Sequence, residues 1–254
     1  MALICETYVH SDKAAWKDPA SPLFVGLECE IEHIIDHGKV NTAVFNVTTD
    51  GSLRNNGYEY VSVPLVVKEA VYQFRGLHAS LVKGPECFTQ RTSIHAHANC
   101  LNLSSEEVRS IILTYALYEE AFFMMVNADR RHNIHCVPLT ETFLPTYYKS
   151  SLDTMIAKWH KYTALNLKPL IKYGTLEFRH MHGNSDLQLM AEWLSVIENL
   201  FKEGRRVDVC KTVLDEKEME ESFLRIFSGT RLETQWKAVR ASMDNQIIDI
   251  KLIG

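Results

Sequence analysis

Polar and apolar side chains alternate in three short stretches of the chain, residues 26–30, 93–99 and 175–179. In a β-strand, residues i and i+2 point to the same face of the sheet. Each stretch therefore predicts a strand with one apolar face and one face on which polar side chains stand together. The pairs that share a polar face are Glu28 with Glu30, His95 with His97, and Glu177 with Arg179.

These side chains are of the kinds that bind metals and phosphate. Carboxylates and imidazoles hold divalent metals, and an arginine grips phosphate oxygens. Each pair alone has an ordinary structural explanation, because solvated glutamates and weak surface salt bridges are common. Two neighbouring glutamates repel each other, however, unless a cation lies between them. Three such strands in one chain predict a sheet whose polar face is the active site.

The rest of the pattern predicts the elements around these pairs. We expect strands at residues 24–35, 39–49, 58–63, 92–101 and 175–181, the second pairing with the first through a turn at 36–38. Helices are expected at 66–82, from a Ser104 cap to about 127, at 152–165 and at 187–203, and residues 129–148 form a long loop. Short early connections favour antiparallel pairing. The predicted fold class is α+β: an antiparallel β-sheet with helices packed on one face and an open polar active-site face.

The chain length of 254 residues suits one large domain with a small addition. We predict a catalytic domain over residues 1–204. Residues 205–254 are charged and amphipathic, and they predict a helical appendage of two helices joined near Ser228 and Gly229.

The composition excludes several classes of function. The net charge of −5 argues against nucleic-acid binding, which needs a basic surface, and mildly against anionic membranes. No apolar run reaches the roughly 20 residues of a membrane span, and the N-terminus has no pattern of a secretion signal. None of the six cysteines forms a CxxC pair, which argues against a zinc knuckle. A reducing cytoplasm is the expected location.

Six short motifs, taken in order along residues 23 to about 200, resemble the amidoligase family. This family belongs to the carboxylate–amine ligase superfamily, with glutamine synthetase and γ-glutamylcysteine synthetase among its relatives. Several members are encoded by phages, so the resemblance allows a phage origin and then a location in the host cytoplasm. The motifs are Gly26-x-Glu28-x-Glu30, Asp50-Gly51-Ser52, residues 59–64, Ser93-x-His95-x-His97-x-Asn99, residues 161–166 and residues 175–179.

The resemblance implies a glutamine synthetase-like fold and an enzyme that depends on ATP and Mg²⁺, with Mn²⁺ as an alternative metal. A substrate carboxylate would attack the γ-phosphate of ATP to give an acyl phosphate, and an amine would then displace phosphate to form an amide. The partners would be small-molecule or peptide carboxylates and amines. Some relatives form rings and others act alone, so the oligomeric state stays open.

The resemblance also implies roles for individual residues. One metal would be held by Glu28, His95 and Glu177, and the other by Glu30 with Glu59. His97 and Asn166 would lie by the nucleotide, and Arg179 would meet the transferring phosphoryl group. Where this chain has Lys161, the family often has an arginine. Arg130, at the nucleotide, or Arg131, among the catalytic residues, could replace that arginine.

Two other functions compete with the ligase. The His95–His97 pair could serve a metal-dependent hydrolase or oxygenase. A cupin would need a glutamate soon after the pair on the same strand system, whereas the next ones, Glu106 and Glu107, lie at a predicted helix start. The chain could also be a non-enzymatic phage interaction protein on a ligase-like scaffold. No Walker A or GxGxxG sequence is present, so a nucleotide site of those types is excluded.

Overall fold

The structure is a computed structural model that describes residues 2–8, 18, 20–141 and 144–254. Strands and helices are numbered separately in chain order. Strands β1 to β9 are Phe24–Ile31, Ile34–Asp36, Phe45–Thr48, Tyr58–Ser62, Leu65–Val66, Val82–Lys83, Ser93–Asn99, Leu165–Asn166 and Thr175–His182. Helices α1 to α11 are Ile4–Thr7, Val67–Ser80, Ser105–Met124, Leu144–Tyr148, Leu152–Lys158, Pro169–Tyr173, Leu187–Gly204, Val209–Thr212, Glu216–Phe227, Trp236–Arg240 and Asp244–Ile253.

The main sheet is antiparallel, with the strand order β3-β4-β1-β7-β9-β8, and β5 also pairs with β1. Its register brings the polar residues of neighbouring strands opposite one another. Glu28 on β1 faces His95 on β7, and Glu30 faces Glu59 on β4. The predicted α+β class is confirmed.

The two faces of the sheet differ in chemistry. Val25, Leu27, Cys29 and Ile31 alternate along β1 and are at most 1 % exposed. Helices α2, α3 and α7 lie on this apolar face; for example, the Phe178 ring of β9 stacks on Phe122 of α3. The opposite face carries the charged pairs, as the alternation of residues predicts.

A β-bulge interrupts the pairing of β7 with β9. Ile94 is opposite Met181, but Ala96 is opposite Phe178, so His95 alone faces both Arg179 and His180. The extra residue sends His180 and Met181 together into the helix-covered core, where both are fully buried. It leaves Arg179 on the polar face.

Two sequence predictions about the strands are wrong. The segment before residue 49 pairs with β4 rather than with β1, because β4 and β7 already occupy the two edges of β1. The first strand does not continue to residue 35. His33 has a positive φ of 55°, and β2 beyond it pairs with β6 in a separate small sheet.

Two helix predictions also need correction. The predicted helix at 152–165 ends at Lys158, because the main chain beyond it is captured by tertiary hydrogen bonds: Ala164 N donates to Val137 O, and Arg179 N donates to Ala164 O. The predicted loop at 129–148 contains α4 and two 3₁₀ turns.

The C-terminal segment forms four helices, α8 to α11, instead of two. These helices pack on α3 and α7: Tyr118 donates its hydroxyl to Met219 O, and Phe223 and Phe227 belong to the same buried cluster as Phe122. The division at residue 204 stays a prediction. None of the described helices is both long and apolar enough to cross a membrane.

Candidate active site

Glu28 lies at the centre of the polar face, between β7 and β4. Its Oε2 is 3.3 Å from His95 Nδ1, and its Oε1 is 3.2 Å from His97 Nε2. His95 Nδ1 is also 3.3 Å from Glu177 Oε1 on β9. The structure therefore brings together these four residues, which three separate stretches of sequence supply.

His97 presents one ring nitrogen to this group. Its Nδ1 is 3.0 Å from Thr175 Oγ1, while its Nε2 is buried and has no hydrogen-bond partner among the described residues, despite its approach to Glu28. Ligand atoms of Glu28, His97 and Glu177 all lie within 4.8 Å of one another. We call these three residues the first cluster.

A second cluster consists of Glu30, Asp50 and Glu59, whose carboxylate oxygens also lie within 4.8 Å of one another. Glu30 is held by β7, since the amide and the hydroxyl of Ser93 donate to its Oε2 at 2.8 and 2.5 Å. Sequence reasoning quoted Asp50 in a turn motif but missed it as a partner of the two glutamates.

Neighbouring charges shift the pKa values of two carboxylates in the clusters, Glu28 and Glu59. Burial raises the pKa of Glu28, but the hydrogen bond with His95 and the charges of the nearby His95 and His97 rings outweigh it, and the pKa falls well below its usual value. Burial and the charges of Glu28, Glu30 and Asp50 raise the pKa of Glu59 to about 7. The negative charges around Glu59 thus favour its protonated form.

Both clusters fit divalent cations. Three crowded carboxylates repel one another unless a cation lies between them, and an imidazole nitrogen without a partner suits a metal ligand. The donor set is mostly carboxylate, which favours Mg²⁺ or Mn²⁺ over softer metals. Glu28 lies with Glu177 in the first cluster, and Glu30 lies with Glu59 in the second, as the predicted sets require. The imidazole of the first cluster is His97, which was predicted to lie by the nucleotide, whereas the predicted ligand His95 lies beside the cluster, 3.3 Å from both glutamates.

Two cavities flank the clusters. The larger, of about 540 Å³, is polar and borders the second cluster, His95 and Arg179, with Arg54, Arg91 and Lys161 as further cations. The smaller, of about 250 Å³, has mostly apolar walls that include Phe24, Pro64 and Tyr173. Glu28 borders both cavities.

Gly26 lies on β1 beside the smaller cavity, opposite His97. A Cβ at this position would lie 3.8 Å from His97 Cβ and 3.9 Å from Ser62 O, which is ordinary van der Waals contact. The missing side chain therefore leaves open space in the cavity wall and is not a requirement of close packing.

A model of the amidoligase enzyme family matches residues 9–200 of the chain. The chain belongs to the amidoligase family. No curated protein matches the sequence. Membership supports an enzyme of the ligase type, and the six motifs of the resemblance lie within the matched range.

Arg179 is the amidoligase residue that bridges the first cluster and the larger cavity. Its Nη1 donates to Glu177 Oε1, its Nε donates to His135 O at 3.1 Å, and its guanidinium lies 5.9 Å from the ring of Tyr162. Two of its nitrogens are thus oriented by fixed acceptors. His135 was not a predicted site residue, and only the long loop that contains it offered a clue.

The other predicted basic residues of this amidoligase have different surroundings. Arg130 is buried and donates to the main-chain oxygens of His180 and Arg179 at 2.9 and 2.5 Å, which makes it part of the cavity wall. Arg131 pairs with Glu120 at 3.0 Å and borders neither cavity. Lys161 does border the larger cavity, with its Nζ 4.6 Å from the Tyr162 ring.

Asn166 supports a cluster residue and borders neither cavity. Its side-chain amide donates to Glu177 Oε2 at 2.6 Å from the edge strand β8. Glu177 therefore accepts bonds from Asn166 on one oxygen and from Arg179 on the other. This arrangement fixes the carboxylate plane of Glu177.

Proposed function

We propose that this protein is an ATP- and Mg²⁺-dependent carboxylate–amine ligase that forms an amide bond through an acyl phosphate. The observation that supports it best is the pair of carboxylate clusters on one sheet face, flanked by a polar and an apolar cavity. Phosphoryl transfer needs positioning and neutralisation of charge, and both depend on such a constellation.

The apolar cavity is the proposed site of the adenine base. Tyr173 and Phe24 offer aromatic surface, and His97 and Glu28 stand on its inner side. A nucleotide with its base there would direct its phosphates towards the clusters. The polar cavity then remains for the carboxylate substrate, whose negative charge suits the cations around it.

Glu28, His97 and Glu177, with His95 beside them, would hold one metal, and Glu30, Asp50 and Glu59 would hold the other. The chemistry supplied by metals bound there is neutralisation of the charge on the phosphate oxygens. Ser93 and Asn166 keep Glu30 and Glu177 in their orientations. Such support lets an active site act without reorganising.

Arg179 is proposed to contact the transferring phosphoryl group. A planar guanidinium can grip two phosphate oxygens, and here it lies at the boundary of the first cluster and the polar cavity. In the first step a substrate carboxylate oxygen bonds to the γ-phosphorus and the bond to ADP breaks. In the second step the amine nitrogen bonds to the acyl carbon, phosphate leaves with the electron pair, and the amine proton passes to water.

The experiment measures the binding of a non-hydrolysable ATP analogue with Mg²⁺ by calorimetry. The wild type should bind, and Glu28→Gln should not, while its melting temperature without ligand stays close to wild type. Glu198→Gln is the matched control, because Glu198 pairs with Lys202 on α7 and borders neither cavity of the site. Equal binding by Glu28→Gln would contradict the site.

The reaction itself can be tested by trapping. Hydroxylamine converts acyl phosphates to hydroxamates, so a panel of carboxylates with ATP, Mg²⁺ and hydroxylamine should give a hydroxamate together with ADP and phosphate. Formation of AMP and pyrophosphate would show that the acyl group is activated in another way and would contradict the acyl-phosphate mechanism.

A further inference from the structure

Glu32, the residue that follows β1, is a fully buried carboxylate outside both clusters. Burying a charge is costly unless it is paired and hydrogen-bonded. Its side chain accepts four hydrogen bonds, all from two loops: from Arg54 N at 2.6 Å, from Thr89 Oγ1 at 2.9 Å, and from Arg91 Nε and Nη2 at 3.0 and 3.5 Å. One carboxylate thus joins segments far apart in the sequence.

Each of these loops forms part of the wall of the polar cavity. The first contributes Asp50, Ser52 and Arg54, and the second contributes Gln90 and Arg91. Asp50 is also the one member of the second cluster that does not lie on a strand. Its position therefore depends on how its loop is anchored.

Hydrogen bonds within the first loop connect Asp50 with Arg54, the residue whose amide is bound by Glu32. Arg54 folds its guanidinium back onto the main-chain oxygens of Gly51 and Leu53, at 2.7 and 2.9 Å, and Leu53 N donates to Asp50 O. A shift of the Arg54 amide would consequently move Asp50.

The loop also packs closely over Glu32. A Cβ on Gly57 would lie 2.7 Å from Leu53 Cβ and 3.1 Å from Glu32 Cγ, which is too close for a side chain. Asn55 and Asn56 have positive φ values of 51° and 56°. The turn that brings Arg54 N onto the carboxylate is thus built by residues that tolerate this backbone conformation.

We propose that Glu32 is a positioning residue that holds Asp50 in the second cluster and Arg91 at the polar cavity. The inference rests on the proposed metal site. Removal of a residue that orients a ligand typically weakens metal binding about 10- to 100-fold. Glu32 acts through the loop, since it does not line the cavity itself.

The test is a titration of the metal-free protein with Mn²⁺, followed by electron paramagnetic resonance of the free ion. The wild type should bind two Mn²⁺, and Asp50→Asn identifies the second site by weakening it alone. Glu32→Gln should weaken that same site about 10- to 100-fold and leave the first unchanged. Retention of wild-type affinity at the second site by Glu32→Gln would overturn the inference.

Glu203→Gln is the matched control. Glu203 is also a buried carboxylate clasped by arginines, Arg206 and Arg225, but it lies on α7 and borders neither cavity. Its variant should lose stability as Glu32→Gln does and keep both Mn²⁺ affinities. Equal weakening of the second site in both variants would make the effect a general loss of stability and would overturn the inference.

Arg91→Met separates positioning from charge. The side chain of Arg91 is about half exposed, and Glu32 keeps its hydrogen bonds from Arg54 N and Thr89 Oγ1 in this variant. By charge alone, removal of a cation strengthens Mn²⁺ binding. Loss of the contacts between Arg91 and Glu32 weakens Mn²⁺ binding at the second site, and this is the expected result. Stronger Mn²⁺ binding would overturn the inference. If the wild type binds one Mn²⁺ only, the proposed second metal site fails and the inference falls with it.

Discussion

Phe178 and Arg179 are neighbours in β9, yet they belong to two different environments. Phe178 is fully buried among the rings of α3 and α7, whereas Arg179 lies on the open face beside Glu177 and a polar cavity. The covered face is stabilised by apolar burial, and the open face concentrates like charges that repel one another. The same strands thus combine a face that stabilises the fold with a face that costs stability and offers chemistry.

The largest effect is expected on the covered face. Phe178→Ala should lower the free energy of unfolding by about 3–5 kcal/mol, because it opens a cavity between the sheet and two helices. Denaturant unfolding measures this change. Tyr162→Ala, at the cavity on the open face, is the matched aromatic control and should cost about 1 kcal/mol or less. Equal losses would show that the two faces do not differ in this way.

Arg179→Lys should act on the reaction and spare the fold. Loss of the bidentate grip on the phosphoryl group is expected to lower ATP-dependent turnover about 10²- to 10³-fold, nearly as much as Arg179→Ala. The melting temperature of the ligand-free protein should stay near wild type. Arg240→Lys, at a surface pair with Glu216, is the control. If the lysine variant kept most of its turnover, the role of Arg179 would be limited to its salt bridge with Glu177.

The third prediction concerns pH and His180, which is fully buried in the helix-covered core. Burial, with the charge of Arg130, holds the pKa of His180 well below its usual 6.5, so the ring is neutral when folded and takes up a proton only on unfolding. The contribution of His180 to stability should therefore fall as pH drops below 6.5, by up to about 1.4 kcal/mol per pH unit.

His180→Gln removes this proton but keeps a side-chain N–H that can donate to the Tyr115 hydroxyl oxygen, which lies 2.7 Å from His180 Nε2 and itself donates to Glu119 Oε1. Unfolding free energies measured between pH 6.5 and 5 should show a shallower slope in the variant. Identical slopes would mean that the ring is already charged, or that it is exposed, in the folded protein.

The smallest effect is expected from the crowded charge of the open face. Glu59→Gln should raise the stability of the metal-free protein at pH 8 by about 1 kcal/mol, since it relieves repulsion from Glu30 and Asp50. Melting curves with a chelator measure the gain, and added Mn²⁺ should reverse it by favouring the wild type. A destabilised variant would mean that Glu59 has a structural role.

The sequence predicted the features that depend on the two-residue repeat of side-chain direction in a β-strand. Glu28, Glu30, His95, His97, Glu177 and Arg179 share a face because strand geometry requires it, and the α+β class followed from the order of the elements. What it could not predict depends on contacts between distant segments. Asp50 joins the second cluster through a loop anchored on Glu32, and Arg131 turns to Glu120 although it follows Arg130 directly.

The helices predicted from local sequence were wrong at two places, and for the same reason. Residues 159–165 fit a helical pattern, but hydrogen bonds to Val137 and β9 hold part of this segment at the sheet edge. The segment after residue 204 forms four helices, which pack against α3 and α7. In both places tertiary contacts override local preference.

The open space at Gly26 makes this a position at which the volume of the apolar cavity can be changed without disturbing its neighbours. Because a methyl group fits there without displacing His97 or Ser62, Gly26→Ala should fold normally while narrowing the apolar cavity. The variant should therefore weaken the binding of any ligand that fills the apolar cavity and spare a ligand that occupies only the polar one.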